Sequence, residues 1–386
     1  MISRASSVLA VPILVATALA QDADRVDSER MRATVDYLVD PALKGRRVGT
    51  PENRRTGDWI ADQFKALGIE PGVEGSYFHE FDTSVFKGRN VVGLLRPPRE
   101  SSEYVVVGAH FDGTGDRGRV HFPAADDNAS GVAAMFEIAR VLAPHREELQ
   151  RNIVFAAFDA EEVGLVGSTA LVDDEIFPAE DTCFMVVFDL IGGHFFPWQG
   201  KEGIAMGSEH SAYVRGALQG LIEDRPTPIR LLGTYVLEPM GPIMARSDYR
   251  AYRSAGVPHL FFSTGTPWYY HTKDDSIDRL DFTQASEIAQ VACDLVLKVA
   301  TTQDEIDFIR RPPAEINDLE QLQRILAEIL EHRKEIALPT DQFAQMEKVL
   351  AAITEAITEG RSSKILAHQG LQLIFAAAQQ SKPQKN

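Results

Sequence analysis

The chain has 386 residues, of which 44% are hydrophobic, and it carries a formal net charge of −17 at pH 7. That length allows a sizeable buried core and suggests one large domain, or one domain with an extension. The acidic balance and the lack of a basic stripe exclude nucleic acid as an expected partner.

The N-terminus has the features of a signal peptide, predicted over residues 1–20. A short charged start precedes an apolar run over 5–20, which is too short and wrongly flanked for a membrane-spanning helix. The run ends in "ALA", a cleavage pattern that predicts a mature chain starting at Gln21. We therefore expect a periplasmic or secreted protein with no membrane attachment after cleavage. An uncleaved N-terminal anchor is the alternative.

The next part of the chain alternates between helical and strand patterns. The strand patterns are apolar throughout, which is typical of a sheet covered on both faces. We therefore predict an α/β fold with a mixed, mostly parallel central sheet and helices on both faces, in three layers. Strands are predicted over 89–96, 103–110, 152–159, 184–192, 229–233 and 258–264, and helices over 50–68, 130–142 and 281–301.

Beyond about residue 302 the composition changes to three helix-prone segments. Apolar residues recur there at steps of three and four, and such stripes must be buried either on the rest of the chain or on a second subunit. A homodimer through these helices is therefore one prediction. The resulting division is a main domain over 21–301, a helical C-terminal extension over 302–380 and a disordered tail over 381–386.

The chain has two cysteines, Cys183 and Cys293, and both lie in apolar segments. An exported protein permits one disulfide, but two lone cysteines define no framework, so buried free thiols are an equal alternative. Two cysteines are too few for a cysteine-based zinc site.

Imidazole and carboxylate side chains occur where the predicted strands end. In α/β sheets, functional residues gather at the carboxyl ends of the strands. Imidazole together with carboxylate suits zinc without any cysteine. The residues concerned are His110, Asp112, Asp127, Glu161, Glu162, Asp189 and His271.

Five of these residues are enough for two zinc ions that share one carboxylate. Asp127 can bridge the two ions. His110 and Asp189 would complete one site, and Glu162 and His271 would complete the other. Each ion would keep an open position for water.

Glu161 is left over by this count and lies beside ligand Glu162. A free carboxylate in that place can accept a proton from the attacking water, which predicts that Glu161 is the general base of a hydrolase. The two adjacent acids would then have different roles, one as base and one as ligand.

Several motifs together carry a family resemblance. The runs "VVGAHFD", "AADDNASG", "FDAEEVGLVGS", "VVFDLIGG" and "YYHTKDD" occur in this order. They resemble the dizinc exopeptidase family of secreted bacterial leucyl-type aminopeptidases, whose relatives include glutaminyl cyclases and glutamate carboxypeptidases. The likeness covers roughly residues 30–300. Each motif alone is moderately specific, whereas the ordered set is highly specific.

The resemblance implies a zinc-exopeptidase-like fold, the same five ligands, two zinc ions per chain and Glu161 as the base. It also implies that Asp112 orients the first ligand histidine. The peptide bond between Asp127 and Asn128 is expected to be cis, and Asp275 matches a structural acid of the family. Asp126 is read as a hydrogen-bonding loop residue, although it is the alternative to its neighbour as a ligand.

The substrate pocket follows the family pattern less closely. Some secreted relatives place a tyrosine three residues before the Ser-Asp pair that is Ser247-Asp248 here, and this chain has Met244 instead. Another tyrosine would have to contact the developing oxyanion. The predicted substrate-binding residues are Leu190, Tyr235, Trp268 and Tyr270.

These observations predict an exported zinc metallopeptidase, an aminopeptidase that removes N-terminal residues from peptides with a free N-terminus. A carboxypeptidase is one alternative, and it would need an arginine such as Arg246, Arg250 or Arg253 to bind the terminal carboxylate. A glutaminyl cyclase on the same fold is another. A non-enzymatic binding module is the third, but such modules usually lose ligands, and here all five positions are kept.

Overall fold

The structure is a computed structural model that describes residues 24–238 and 245–382. The predicted signal peptide, Met244 and residues 383–386 of the predicted tail lie outside the described residues.

A mixed sheet of nine strands forms the centre of the fold, in the order β1-β3-β5-β4-β6-β9-β7-β8, with β2 also pairing with β3. Strands β5, β4, β6 and β9 run parallel to one another, and the strands that flank them join antiparallel. The strands are β1 Glu70–Pro71, β2 Phe78–Asp82, β3 Lys87–Leu95, β4 Tyr104–His110, β5 Asn152–Phe158, β6 Thr182–Phe188, β7 Gly203–Met206, β8 Ile229–Leu232 and β9 His259–Ser263.

Helices cover both faces of this sheet. One face packs against α1, α2, α3, α5 and α7, and the other packs against α4, α6 and the C-terminal helices α8, α9 and α10. Across the described ranges, no helix is both long and apolar enough to cross a membrane. The helices are α1 Ser28–Leu38, α2 Pro51–Ala66, α3 Gly131–Leu142, α4 Val166–Asp173, α5 Ala212–Ile222, α6 Tyr249–Ala255, α7 Phe282–Thr301, α8 Ile316–Glu331, α9 Thr340–Thr358 and α10 Lys364–Gln379.

The three-layer α/β fold predicted from the sequence is confirmed. Strand β5 is buried at every position, as its continuous apolar pattern indicates for a strand covered on both faces. Helix α2 begins where the sequence predicts, because the Thr50 side chain accepts the backbone N–H of Asn53 and Pro51 occupies the first turn. Strands β1, β2 and β7 and helices α4 and α5 were not predicted.

The apolar stripes of the C-terminal helices are buried within the chain. Leu322 and Leu326 of α8 and Ile353 of α9 belong to the same apolar cluster as Val106 of β4 and Met185 of β6. The first alternative for these stripes, packing on the rest of the chain, is therefore the observed one. The homodimer stays a prediction.

Both cysteines are free thiols in the structure. Cys183 is half-buried in β6 and Cys293 is buried in α7. Burial raises the pKa of Cys183 to about 12, so this thiol stays protonated at neutral pH.

Candidate metal centre

The predicted ligands meet at the carboxyl ends of the central parallel strands. His110 is the last residue of β4, and Asp189 directly follows β6. Glu162 lies in the loop after β5, Asp127 precedes α3, and His271 lies between β9 and α7. Residues that are far apart in sequence are thus brought to one edge of the sheet, as this type of sheet predicts.

Asp127 lies between the two histidines. Its Oδ1 is 3.3 Å from Nε2 of His110, and its Oδ2 is 3.0 Å from Nε2 of His271. On one side, Oδ1 of Asp189 is 3.6 Å from the same His110 nitrogen. On the other side, Oε2 of Glu162 is 2.9 Å from the His271 nitrogen. Asp127 therefore occupies the position of a bridging carboxylate between two groups of ligand type.

Unpaired polar atoms show that these side chains fit metal ions. Buried polar atoms in proteins normally have a hydrogen-bond partner. Five buried atoms here make no hydrogen bond of good geometry among the described residues, although some of them lie close to one another. All five are nitrogen or carboxylate oxygen, the ligand atoms that zinc prefers in the absence of cysteine. They are His110 Nε2, Asp127 Oδ2, Glu162 Oε1, Asp189 Oδ1 and His271 Nε2.

Glu161 also faces this centre. Its Oε2 lies 4.0 Å from Nε2 of His110, and its side chain is only 13% exposed. Burial raises the pKa of Glu161 well above its usual value, and the negative charges of Asp189 and Asp127 add to the rise despite the opposite effect of His110. A carboxyl group in this environment has a high proton affinity.

The other acids of the centre differ in their proton affinity. Burial works to raise the pKa of Asp127, but the neighbouring imidazoles of His110 and His271 outweigh it and lower the pKa. Burial and the charge of Asp127 raise the pKa of Glu162 to about 7. The pKa of His271 rises to about 10, because its carboxylate neighbours outweigh its partial burial. The carboxylates around His110 and His271 therefore stabilise a positive charge between them.

Asp112 connects His110 to the glutamate pair. Its carboxylate accepts the backbone N–H of Glu161 at 3.1 Å and that of Glu162 at 3.3 Å. Nδ1 of His110 lies 3.2 Å from the backbone oxygen of Asp112 and 3.5 Å from its Oδ1. Asp112 is fully buried, so these contacts set the positions of all three neighbours.

Asp275 and Asp126 support the loop that presents Asp127. The carboxylate of Asp275 accepts the backbone N–H groups of Asp126 and Asp127 at 2.8 and 3.2 Å. The peptide bond between Asp127 and Asn128 is cis, as the resemblance implied. The Asp126 carboxylate accepts the hydroxyl of Tyr269 at 3.0 Å, which agrees with its reading as a hydrogen-bonding loop residue.

Three residues beside the centre have left-handed backbone conformations that side chains disfavour. The φ angle is 61° at Ala160, 60° at Leu190 and 57° at His271. Such residues cost of order 1–3 kcal/mol each and cluster at functional sites. They turn the chain sharply at Glu161, at Asp189 and at His271 itself.

Arg46 is a supporting residue that the sequence reasoning missed. Its guanidinium is fully buried and donates to the backbone oxygens of Leu38, Phe111, Pro123 and Ala124. It therefore joins the end of β4 to the loop before Asp127. Burial lowers its pKa to about 10, so it remains charged at neutral pH. The signal available was the run "LKGRRVG", which lies within residues 30–300, the segment that the family resemblance covers.

A cavity of about 350 Å³ opens beside the centre, with Asp189 in its lining. Two predicted substrate-binding residues, Leu190 and Tyr270, line it. The other two do not appear among the described lining residues. The Tyr235 hydroxyl instead bonds to Asp318, and the Trp268 ring lies under the cations of Arg279 and Lys382.

Known proteins with related sequences carry peptidase names. A probable leucine aminopeptidase of Trichophyton verrucosum is 26% identical over 248 residues, which are 61% of this chain and 64% of that protein. Aminopeptidase YwaD of Bacillus subtilis is 29% identical over 271 residues, which are 66% of this chain and 52% of that protein. The chain thus covers less than two thirds of the length of either relative.

Solved structures share the fold. BSAP, a zinc aminopeptidase from Bacillus subtilis, matches with a TM-score of 0.58 at 16% identity, over 75% of this chain and 100% of that chain. The sequence pattern of Peptidase family M28 matches residues 90–296, more than half of the chain. The family resemblance predicted from the motifs is confirmed. The chain belongs to Peptidase family M28.

Proposed function

We propose that this protein is an exported, zinc-dependent aminopeptidase with two metal ions per chain. One observation carries the proposal. The ligand-type atoms form two groups, one of His110, Glu161 and Asp189 and the other of Asp127, Glu162 and His271. Oδ1 of Asp127 also lies 3.3 Å from Nε2 of His110, so Asp127 can serve both groups, and this sharing leaves Glu161 free to act as the base. The aminopeptidase names of the sequence relatives support the same activity.

In this proposal, His110, Asp127 and Asp189 hold one ion, and Asp127, Glu162 and His271 hold the other. Zinc, when bound, polarises the scissile carbonyl and lowers the pKa of water. The raised pKa values of Glu162 and Glu161 come mainly from burial, and the neighbouring carboxylates add to the rise.

The residues of the chain move the proton and hold the reacting groups. Glu161 accepts the proton of the attacking water and returns it to the leaving amine, so it is the general base and then the general acid. Asp112 keeps Glu161 in place through its backbone N–H. Tyr270 stacks on His271 and lines the cavity with Asp189, so its hydroxyl is our candidate contact for the oxyanion.

The acidic surroundings favour a substrate with a free amine. Asp189 lines the cavity, and Glu161 and Asp127 lie within reach of the same histidine, so a positively charged amine is stabilised there. Cleavage would then occur at the N-terminus. Export rests on the N-terminal segment, which predicts a signal peptide ending at Ala20.

A carboxypeptidase is the second candidate because of Arg246. This side chain lines the cavity and forms no ion pair among the described residues. The other two arginines are engaged, since Arg250 donates to the backbone oxygen of Gly164 and Arg253 pairs with buried Glu238. Arg246 could therefore bind a terminal carboxylate.

The test is a substrate panel with protein reconstituted in zinc. The panel contains aminoacyl anilides, the same anilides with acetylated amines, peptides ending in glutamate and peptides beginning with glutamine. We expect cleavage only where the α-amine is free, and metal analysis should find two zinc ions per chain. Cleavage of amine-blocked peptides from the C-terminus would show a carboxypeptidase, and cyclisation of N-terminal glutamine would show a glutaminyl cyclase. If no substrate is turned over, the proposal is overturned.

A further inference from the structure

The far wall of the cavity is built by helix α10. Asp189, Leu190 and Tyr270 line the cavity beside the metal centre, while Leu371 and Phe375 of α10 line it from another part of the chain. The two residues of α10 lie more than 90 positions further along the sequence than the residues beside the metal centre. The last helix therefore contributes directly to the space next to the reacting groups.

Phe375 is held in this wall by an aromatic contact. Its ring stacks on that of Phe195 with 5.7 Å between the centroids. The Phe195 ring in turn lies against Gly265, where an added Cβ would come within 1.5 Å of the ring. The wall is thus packed closely on the loops that follow β6 and β9.

Both ends of α10 are tied to the rest of the chain. Nδ1 of His368 lies 3.0 Å from the backbone oxygen of Val236. Just beyond the helix, Nζ of Lys382 lies 3.2 Å from Oδ2 of Asp274 and 4.7 Å from the centre of the Trp268 ring. Trp268 and Asp274 flank His271, so the helix is attached to the loop that carries this predicted ligand.

This wall comes from outside the segment that matches the family. The family pattern ends at residue 296, whereas α10 spans Lys364–Gln379. The zinc aminopeptidase from Bacillus subtilis is matched in full by 75% of this chain. The cavity is therefore partly made by a segment that the family match does not include.

The lining of the cavity indicates what it accepts. Leu190, Met206, Phe261, Leu371 and Phe375 present apolar surface to it. A volume of about 350 Å³ is enough for a large side chain together with part of a peptide backbone. Arg246, Gln372 and Gln379 also line it and can bond to the peptide, so the cavity is not uniformly apolar.

We propose that α10 is the specificity-determining wall of the cavity, which accepts the side chain of the N-terminal residue and selects apolar side chains of leucine size or larger. This inference rests on the proposed aminopeptidase function. It differs from a purely structural role, in which α10 only covers the sheet, because it requires effects that depend on the size of the substrate side chain.

The experiment uses two variants in the wall and one control on the same helix. Ala376 lines the cavity, so Ala376→Phe fills it, and Phe375→Ala enlarges it. Ile365 is 72% exposed, so Ile365→Ala is the matched control. We measure kcat/KM for leucyl, phenylalanyl, alanyl and glutamyl anilides. Melting temperature and zinc content verify that each variant is folded and loaded.

We expect Ala376→Phe to lower kcat/KM about tenfold or more for leucyl and phenylalanyl substrates, because losing contacts in an apolar pocket changes kcat/KM by about 10–200-fold. For the small alanyl substrate, the decrease in kcat/KM should be less than about threefold. Phe375→Ala should reduce the leucyl-to-alanyl preference, and Ile365→Ala should change nothing. Equal effects on all four substrates, or none, would overturn the proposal. A wild-type preference for the glutamyl substrate would do the same.

A binding measurement separates this proposal from the proposed function. Calorimetry compares leucine amide with alanine amide on zinc-loaded Glu161→Gln protein, with and without Ala376→Phe. We expect leucine amide to bind more tightly, and Ala376→Phe to remove that difference. If wild type hydrolyses nothing, the aminopeptidase proposal fails, and this binding difference still decides whether α10 selects the side chain. Equal affinities for both amides would refute the selection even in an active enzyme.

Discussion

The carboxylate of Asp112 accepts a hydrogen bond from the backbone N–H of Glu161 over 3.1 Å. Asp112 lies two residues after His110, and Glu161 follows the neighbouring strand β5. A single buried carboxylate thus determines the distance between a predicted ligand and the predicted base. Outer contacts of this kind orient the groups that bind metal and react.

Asp112→Asn is expected to reduce both activity and metal affinity. The amide keeps the size of the side chain but loses one acceptor oxygen, so the N–H of Glu161 or Glu162 loses its partner. We expect a loss of about 10–100-fold in kcat or in zinc affinity. Steady-state kinetics and competition with a chelator measure the two quantities. Asp62→Asn on the exposed side of α2 is the control, and wild-type values for Asp112→Asn would contradict the assignment.

Glu161→Gln is expected to abolish most hydrolysis while the metal stays bound. Glutamine has the same size but cannot accept the proton of the attacking water. The loss in kcat should be at least about 100-fold, within the range of general-base catalysis. Zinc content per chain should match the wild type, because Glu161 is not one of the five ligands. Glu147→Gln, on an exposed residue, serves as control, and substantial activity in Glu161→Gln would exclude it as the base.

Removal of zinc with a chelator is expected to destabilise the protein. Burial and the negative charge of Asp127 raise the pKa values of Glu162 and Asp189, while His110 and His271 lower the pKa of Asp127, so bound cations would relieve the repulsion among these acids. Zinc at a hundred times its Kd should add about 2.7 kcal/mol to the free energy of unfolding. The melting temperature with and without zinc reports this change. Asp127→Asn should reduce the zinc-dependent rise in melting temperature more than His271→Ala does, because Asp127 is the proposed ligand of both ions. A melting temperature that does not change when zinc is added would contradict the metal centre.

Asp318, which is not one of the residues of the metal centre, should make the stability of the protein depend on pH. Burial raises its pKa from 3.8 to about 6, and hydrogen bonds from Tyr235 and Gly233 oppose the rise only in part. As the pH rises from about 4 to about 6, the unfolded chain releases this proton first, so the contribution of Asp318 to stability decreases.

Asp318→Asn removes this titration. The free energy of unfolding of the variant, relative to the wild type, should therefore increase between pH 4 and pH 6 by roughly 1–3 kcal/mol, since one pKa unit corresponds to about 1.4 kcal/mol. Urea unfolding of chelator-treated protein at several pH values measures it. Asp341→Asn, at an exposed position of α9, should show no such trend, and a constant difference for Asp318→Asn would contradict the raised pKa.

The positions of the central strands and the gathering of the ligands were predictable because both follow local patterns. Strand β5 is a run of apolar residues bounded by polar ones, and it was predicted to within one residue of its end at Phe158. His110, Glu162 and Asp189 each follow such a run. Since parallel strands bring their carboxyl ends to one edge, chain position alone predicted their proximity.

The cavity wall and the place of Tyr235 were not predictable in this way. The Tyr235 hydroxyl donates a hydrogen bond to Asp318, which lies 83 positions further along the chain. The local sequence does not reveal such a partner. Phe375 meets Phe195 only because α10 folds back across the sheet. The apolar stripe of α10 predicted burial but not the surface on which it is buried. Strand β7 has only four residues, too few for a clear pattern.

The contact of Lys382 with Asp274 has a practical consequence for anyone purifying the protein. An affinity tag fused after Asn386 would be separated by four residues from Lys382, whose ammonium contacts Asp274 and the Trp268 ring. The contacts of Lys382 are best kept without added sequence at this end of the chain. A removable tag placed just before Gln21, where the mature chain is predicted to begin, leaves that end of the molecule in its own sequence.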